Sequence, residues 1–241
     1  MQELRSNGSA SVHELARELG VSASTVRRDL RRLDRNGELQ RVYGGASIDS
    51  GPAEKSFPDS LDTQSEVKQA VAARAAALVQ DDEVLLLDIG TTTMHIARLL
   101  HDRRVTVITS SLAVLDELRE DPAIQLVILG GVVRRHYRSM VGSLTEQALR
   151  EVCADRLFLS CTGIRPNGDA LDDTSIETPV KQAMIRASRS VVLLGRSGKF
   201  PGSGAVRICS STDVDLLITD RGSDEPTLDH FRRAGSEVLL A

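Results

Sequence analysis

The sequence has no tryptophan, and its 241 residues hold only four phenylalanines and two tyrosines. A core of this size must then be built from Ala, Val, Leu and Ile, and stacking of aromatic side chains on bases is excluded as a main mode of nucleic-acid binding. Lysine is scarce as well: only Lys55, Lys68, Lys181 and Lys199 are found among 30 basic residues, so 26 are arginine. Three cysteines, Cys153, Cys161 and Cys209, are odd in number and widely spaced. That spacing gives neither a disulfide framework nor a metal-ligand pattern, and the three read as buried structural thiols of a reduced, cytoplasmic protein. No metal and no cofactor is expected. Long apolar runs are missing too. The longest, Leu126 to Val133 with Gly130 and Gly131 inside it, falls well short of the ~20 residues that span a bilayer, and MQELRSNGSA lacks the apolar core of a secretion signal.

What is present is an ordinary globular balance, 41% hydrophobic and 27% charged, in a length that suits one large domain with a small companion. The net charge of −4 argues against a polyanionic partner only until it is divided. Residues 1–50 carry eight arginines against seven acids, a net +1, which leaves −5 for the rest. Within residues 22–46 six arginines face Asp29, Asp34 and Glu38, a net +3, so positive charge is concentrated in one short segment.

That segment has a recognisable punctuation. In SVHELARELG, Val12, Leu15, Ala16 and Leu19 fall at i, i+3, i+4 and i+7, one apolar helix face, with Ser11 as N-cap and Gly20 as stop. After Gly20-Val21-Ser22 a second helix begins, with Val26, Leu30 and Leu33 facing inward and Asn36-Gly37 ending it. Helix, tight glycine turn, helix is the helix-turn-helix pattern. On the second helix Ser24, Thr25, Arg27, Arg28 and Arg31 lie away from the apolar face. Arginine there can donate two hydrogen bonds to guanine in the major groove, and Ser22 and its neighbouring hydroxyls can bind phosphate oxygens. A charge run alone would equally describe a solvated helix face. The next residues tip the balance: Leu39 to Tyr43 alternate like a strand and run into Gly44-Gly45-Ala46, as the wing of a winged helix does.

The whole stretch VSASTVRRDLRRLDRNGELQRVYGGA resembles the DNA-binding signature of DeoR-type bacterial transcriptional regulators. The resemblance implies that Arg41 and Tyr43 of the wing approach the backbone or minor groove of double-stranded operator DNA. Members of that family usually carry a longer first helix than the MQELRSNG that precedes Ser9 here.

A winged helix-turn-helix over 1–48, a linker over 49–61 and an effector domain over 62–241 are expected. IDSGPAEKSFPDSL has the Pro, Gly and small polar residues of a linker. Beyond it helices and short all-apolar strands alternate. The expected helices are 65–79, 92–101, 112–119, 143–152, 175–188, a short one near 211, and 226–234. The expected strands are 83–88, 105–110, 124–129, 156–160, 190–194, 215–219 and 236–240. This is the pattern of an α/β domain whose mainly parallel strands are buried on both faces.

In such a sheet ligands bind outside the carboxyl ends of the strands. Asp88-Ile89-Gly90-Thr91-Thr92-Thr93 passes there from strand to helix, where glycine permits close approach, backbone amides favour an anion and threonine hydroxyls add donors. The alternative is a threonine-rich helix cap satisfying its own backbone. This loop resembles that of the DeoR sensor domain, a sugar-phosphate sensor similar to ribose-5-phosphate isomerase, glucosamine-6-phosphate deaminase and CoA-transferases. Further matching stations are Thr109 to Ser111, Leu129 to Gly131, Gly142 to Glu146, Ser160 to Ile164, Glu177 with Lys181, and Ser197 to Phe200. The resemblance implies that Gly90, Thr91, Thr92 and Thr93 hold a phosphate, Lys199 adds a cationic contact, and Asp88, Glu177 and Lys181 lie near the sugar, with Ser110 and Gly131 also at the site. An ammonium on a glycine-flanked loop suits phosphate on its own chemistry, whereas Lys181 could instead be an exposed helix residue pairing with Glu177 at i, i+4. Two positions depart from the family pattern: Ser110 stands where Asn is usual, and Arg196 and Gly198 replace an acid and a serine before Lys199.

Enzymatic work on a sugar would need a positioned carboxylate or histidine. Asp172, Asp173, Glu177, His95, His101 and His136 are available, but Asp172-Asp173 follows the turn residues Asn167-Gly168 and reads as solvated, and His95 as a packing or surface residue of its helix. A sensor needs no turnover, because a ligand that favours one domain arrangement changes DNA affinity through linkage. The expected protein is a homo-oligomeric repressor of a sugar operon relieved by a phosphorylated sugar; the alternative is an isomerase- or deaminase-like enzyme fused to a DNA-binding domain.

Overall fold

Residues 9–35, 40–42, 45–47, 57 and 65–241 are described in a computed structural model of the protein, and the chain divides into two compact units, 1–55 and 56–241. In the first, strand β1 (Ser9–Ser11) leads directly into helix α1 (Val12–Leu19), and helix α2 (Ala23–Arg35) follows. Strands β2 (Gln40–Val42) and β3 (Gly45–Ser47) complete an antiparallel sheet in the order β1-β3-β2. Val12 and Leu15 of α1 bury against Val26 and Leu30 of α2, with Ala16, Ala23 and Leu33 at the margin. Gly20, at φ +64°, supplies the left-handed turn between the helices. Leu19 departs from the expected apolar face. It is 66% exposed, because it closes the last turn of α1 just where Gly20 diverts the chain. Strand β1 carries no apolar alternation, which hid it from a reading of side-chain pattern; it joins the sheet through its backbone. The expected helix stop at Asn36-Gly37 lies outside the described residues.

The second unit runs through α3 (Ser65–Ala76), β4 (Val84–Leu87), α4 (Thr91–Leu99), β5 (Thr106–Thr109), α5 (Leu112–Leu118) and β6 (Gln125–Ile128). It continues with β7 (Val132–Arg134), β8 (Ser139–Val141), α6 (Ser143–Ala148), β9 (Ala154–Ser160), β10 (Gly163–Ile164), β11 (Ala170–Asp172) and α7 (Thr178–Arg186). Last come β12 (Ser188–Leu194), β13 (Val206–Cys209), β14 (Leu216–Thr219), α8 (Glu225–Ala234) and β15 (Glu237–Leu240). The main sheet has the order β15-β14-β12-β9-β4-β5-β6, and every pair in it is parallel.

Two-residue periodicity sends alternate side chains of one strand into different layers. Leu86 joins a core with Val180, Ala183 and Met184 of α7 and Leu228 and Phe231 of α8. Leu85 and Leu87 join one with Val71, Ala72 and Ala75 of α3 and Ile96 and Ala97 of α4. Helices thus cover both faces of the sheet, as its all-apolar strands require.

The chain leaves β4 for β5 and β6 on one side, then returns to lay β9 on the other. The order therefore reverses between β4 and β9, and at such a reversal the connections on the two sides diverge and leave a crevice at the carboxyl edge. Two features had no signal in the apolar pattern: the antiparallel hairpin β7-β8 and a small sheet β10-β11-β13. Their strands have two to four residues, too few for a period to register. Helix α7 starts at Thr178 rather than 175, with Pro179 in its first turn, and α6 stops at Ala148 rather than 152.

Candidate functional site

The crevice between β4 and β9 brings together Asp88, Ser160 and Lys181. Asp88 follows the last residue of β4 and is 1% exposed. Its Oδ2 accepts from the Ser160 backbone N–H at 2.9 Å and lies 2.7 Å from the Ser160 hydroxyl. Lys181, from α7, reaches the same oxygen at 2.5 Å and lies 3.7 Å from Asp172 Oδ2; its Nζ also donates to the Ser160 carbonyl at 3.1 Å. Lys181 is 2% exposed. Burial pulls its ammonium toward neutrality, but Asp88 and then Asp172 more than offset that, and its pKa lies above the ordinary lysine value.

This geometry decides between the two readings of Lys181 and corrects that of Asp172. Lys181 is not an exposed helix residue paired with Glu177, since both of its acidic partners come from other elements. Nor is Asp172 a solvated turn acid: it ends β11, is 6% exposed and faces that ammonium. Asp173 is half-buried, and burial raises its pKa. His95, with burial first and Arg98 second pulling its pKa down, is buried inside α4 rather than on its surface.

Gly90 holds φ +125°, where a side chain would be strained, and stands at the N-cap of α4. It brings no side chain to the helix end, and no side-chain hydrogen bond caps α4. Amides at such an end are available to an anion. The three threonines behind it differ. The Thr93 hydroxyl donates to the Gly90 carbonyl at 3.0 Å and so serves the helix itself, Thr91 is buried, and Thr92 is part-exposed.

Ser110 follows β5 beside Asp88, one step beyond the Leu87–Thr109 pair. It is fully buried, and its hydroxyl finds no partner among the described residues. Lys199 closes a 3-10 turn, Ser197–Lys199, after β12. Its Nζ donates to the Leu194 carbonyl at 3.3 Å, and burial lowers its pKa. Gly131 lies between β6 and β7 and packs against α6 and β8. A Cβ there would lie 2.2 Å from Thr145 Oγ1 and 2.8 Å from the Val141 carbonyl, so close packing alone requires glycine.

Glu177, the residue before α7, is 2% exposed and is held by hairpin β7-β8. Arg134 Nη1 donates to its Oε1 at 2.8 Å and the Ser139 hydroxyl at 2.6 Å. Burial pushes its pKa up, and the bonds from Ser139 and then Arg134 hold part of that rise back. Of the cysteines, Cys161 and Cys209 are buried, whereas Cys153 is exposed, contrary to expectation. Burial raises the pKa of both buried thiols, that of Cys209 to about 12, so both stay protonated near neutral pH.

In the first unit, the Ser22 hydroxyl accepts the Thr25 N–H at 3.1 Å and lies 2.7 Å from the Ser24 hydroxyl and 2.9 Å from that of Thr25. Ser22 thereby caps α2 and gathers three hydroxyls at its N-terminus. Arg27 and Arg28 are exposed on the side of α2 away from Val26 and Leu30. The side chains of Arg31 and Arg41, and all of Tyr43, lie outside the described residues.

Two family models match the chain: a DeoR-like helix-turn-helix domain over residues 1–51 and the DeoR C-terminal sensor domain over 63–221. The chain belongs to the DeoR family. Among curated proteins it is 32% identical to the HTH-type transcriptional repressor CsqR of Escherichia coli, over 97% of this chain and 90% of that one. It is 29% identical to the L-fucose operon activator of Haemophilus influenzae, over 92% and 89%. Among solved structures, ribose 5-phosphate isomerase A of Methanocaldococcus jannaschii aligns at 19% identity and TM-score 0.43, over 57% of this chain and 55% of that one.

The protein is therefore a DNA-binding transcriptional regulator of the DeoR family with a sensor domain for a small-molecule effector. In this DeoR-family sensor sequence reasoning gave no effector role to Ser160, named only within a matching station, or to Asp172, weighed only as a catalytic acid, and it passed over Arg134 and Ser139. Ser160 and Asp172 each end a strand, and in a parallel sheet that position is itself a signal. Arg134 and Ser139 belong to the hairpin that no period revealed.

Proposed function

We propose that the sensor domain binds a phosphorylated sugar in the β4/β9 crevice, and that the protein represses an operon for sugar uptake or catabolism until that ligand arrives. The observation that carries this reading is the Gly90-led start of α4, uncapped by any side chain and two residues along the chain from Asp88 of the buried Asp88–Lys181 pair. An anion at the helix end and a polyhydroxyl body against Asp88 and Lys181 are complementary to that arrangement. Lys199 supports it: among the described residues its ammonium forms no ion pair, so its charge is available to a phosphate. Thr92, part-exposed, is the threonine we assign to the phosphate oxygens. The buried, unpartnered Ser110 hydroxyl is assigned to the sugar.

The DNA-reading role is given to α2, with Arg27 and Arg28 at base edges, the Ser22–Ser24–Thr25 hydroxyls on phosphates, and Arg31, Arg41 and Tyr43 completing the contact. The names of the relatives support control of a sugar operon, and they include both a repressor and an activator. Repression is the reading adopted here, by a cytoplasmic homo-oligomer on repeated or palindromic operator half-sites.

A thermal-shift panel of pentose and hexose monophosphates tests the ligand. One of them should raise the melting temperature of the protein, and Thr92→Ala and Lys199→Ala should each blunt that rise. A response identical in both variants would remove the loop from the site. The same panel in a coupled isomerase or deaminase assay separates sensor from enzyme: we expect binding without turnover.

A further inference from the structure

Phe57 lies two residues into the second unit, next to the chain that joins it to the first, yet it is 1% exposed. It is buried with Met94 of α4 and Ala113 of α5. Its ring meets that of Tyr137 edge-on, with centroids 6.4 Å apart and planes at 86°. The Arg138 guanidinium lies 5.5 Å from its centroid, and its N–H donates to the His136 carbonyl at 3.2 Å. A sequence reading places this phenylalanine in a linker; the structure makes it an anchored core residue.

Its partners lead back to the effector crevice along two routes. The Met94 N–H donates to the Gly90 carbonyl at 3.2 Å, so the floor of the Phe57 pocket is one helical turn from the residues assigned to phosphate. His136, Tyr137 and Arg138 form the turn of hairpin β7-β8, whose strands each send one side chain, Arg134 and Ser139, to Glu177. Arg134 also stacks over Tyr137, 5.5 Å from its centroid. Glu177 in turn opens the helix that carries Lys181. Arg138 has φ +56°, a backbone region that a non-glycine residue keeps only while its surroundings hold it there. Those surroundings are the Arg138–Asp116 ion pair and the bond from the Leu112 N–H to the Arg138 carbonyl, 2.8 Å.

We infer that Phe57 is a latch: the elements that line the effector crevice also form its pocket, so occupancy of the crevice sets whether the connecting chain is held against the sensor. The inference rests on the effector-site reading above. A ligand at Gly90–Thr93 bears on α4, and one at Lys181 and Glu177 bears on the hairpin. Either changes the pocket of Phe57, and a docked Phe57 fixes where the connecting chain leaves the sensor. Coupling of this kind needs only that ligand and latch bias the same element.

The scarcity of lysine provides the test. Lys68 and Lys181 are buried and Lys199 is part-buried, so a lysine-specific endoprotease acting on the folded chain should cut after Lys55. Residues flanking the cut must enter the protease cleft, so Phe57, two positions on, has to undock first, and the cutting rate then follows the undocked population. With no ligand, Phe57→Ala should be cut about tenfold or more faster than wild type, while the melting temperature still reports a folded sensor. Should that variant fail to fold, Phe57→Leu should show an intermediate rate at near-native melting temperature. Arg134→Gln, which touches the crevice side of the hairpin, should also speed the cut. Saturating inorganic phosphate should change the wild-type rate about threefold or more and leave that of Phe57→Ala unchanged. Equal rates in wild type and the Phe57 variant overturn the latch. A phosphate-induced thermal shift without any change in rate, or an Arg134→Gln rate equal to wild type, overturns its link to the crevice. Absence of any thermal shift with phosphate counts against the phosphate site, and the ligand-free comparisons still decide the latch.

Discussion

The two units use positive charge in opposite ways. On α2 it is displayed: Arg27 and Arg28 are exposed, and the ion pair of Arg28 with Asp29, at 3.8 Å, joins side chains 78% and 62% exposed. Such a pair contributes little and yields readily to a phosphate. In the crevice of the sensor the positive charge is withdrawn: Lys181 is 2% exposed and faces two carboxylates that are themselves buried. Displayed charge serves a long polyanion, whose affinity should fall steeply with salt. Withdrawn charge holds a shape into which a small ligand fits, and salt hardly reaches it.

The largest expected effect tests the withdrawn charge. Replacing Lys181 with Met leaves Asp88 and Asp172 buried without their cation, and should cost the sensor about 3–5 kcal/mol in urea unfolding, the usual penalty for breaking a buried pair from one side. The triple variant Asp88→Leu/Asp172→Leu/Lys181→Met should recover much of that loss, because replacing the cation and both of its acids leaves no orphaned charge. A single variant of near wild-type stability would mean that water reaches the pair, and the comparison with α2 would lose its basis.

Next in size is the displayed charge. Arg27→Ala and Arg28→Ala should each weaken operator binding by about 1–3 kcal/mol where the arginine reads a base, with folding stability held within about 0.5 kcal/mol because nothing is packed beneath them. Gel shifts at several salt concentrations distinguish the roles: a lost phosphate contact flattens the salt slope, whereas a lost base contact relaxes sequence preference. If both variants bind as wild type does, α2 does not read DNA through these two side chains.

Much of this division was legible in the sequence, for a physical reason. Strands buried on both faces must be apolar throughout, so VLLL, TVIT and VVLL announce themselves, and the carboxyl-edge rule then points to the loop from Asp88 to Thr93, while the family resemblance adds Lys199. Hairpin β7-β8 was hidden because Val132 and Val133 are 68% and 49% exposed, so the strand has no buried face to set a period. Asp172 was misjudged because a turn at Asn167-Gly168 predicts solvent nearby, and only the third dimension brings Lys181 against it. Leu19 was misjudged because a helical period carries no information about where the partner helix ends.

Gly131 sharpens the comparison from the side of packing. The resemblance assigns it to the effector, but Thr145 and Val141 already require it to be glycine. Gly131→Ala should therefore lower sensor stability by about 1–3 kcal/mol through overpacking, and leave the thermal shift induced by a sugar phosphate intact. Loss of that shift at unchanged stability would return Gly131 to the ligand site.

Smallest is a pH effect at Glu177, a buried carboxyl whose pKa burial raises. Arg134, Ser139 and Lys181 all favour its ionised form, so the fold pushes the proton on by burial and pulls it off by contacts. A carboxyl with a raised pKa binds its proton more tightly in the folded state. Its contribution to stability is then complete below the ordinary value of 4.5 and is lost as pH rises through the raised pKa. Glu177→Gln cannot titrate. The stability of the variant minus that of wild type should therefore climb with pH across that interval, while the half-buried Asp173, raised in both proteins, cancels in the difference. Urea unfolding of the two proteins at matched pH gives this difference curve directly. A flat curve would mean that Arg134 and Ser139 compensate the Glu177 charge fully, and that burial against the hairpin costs this carboxylate nothing.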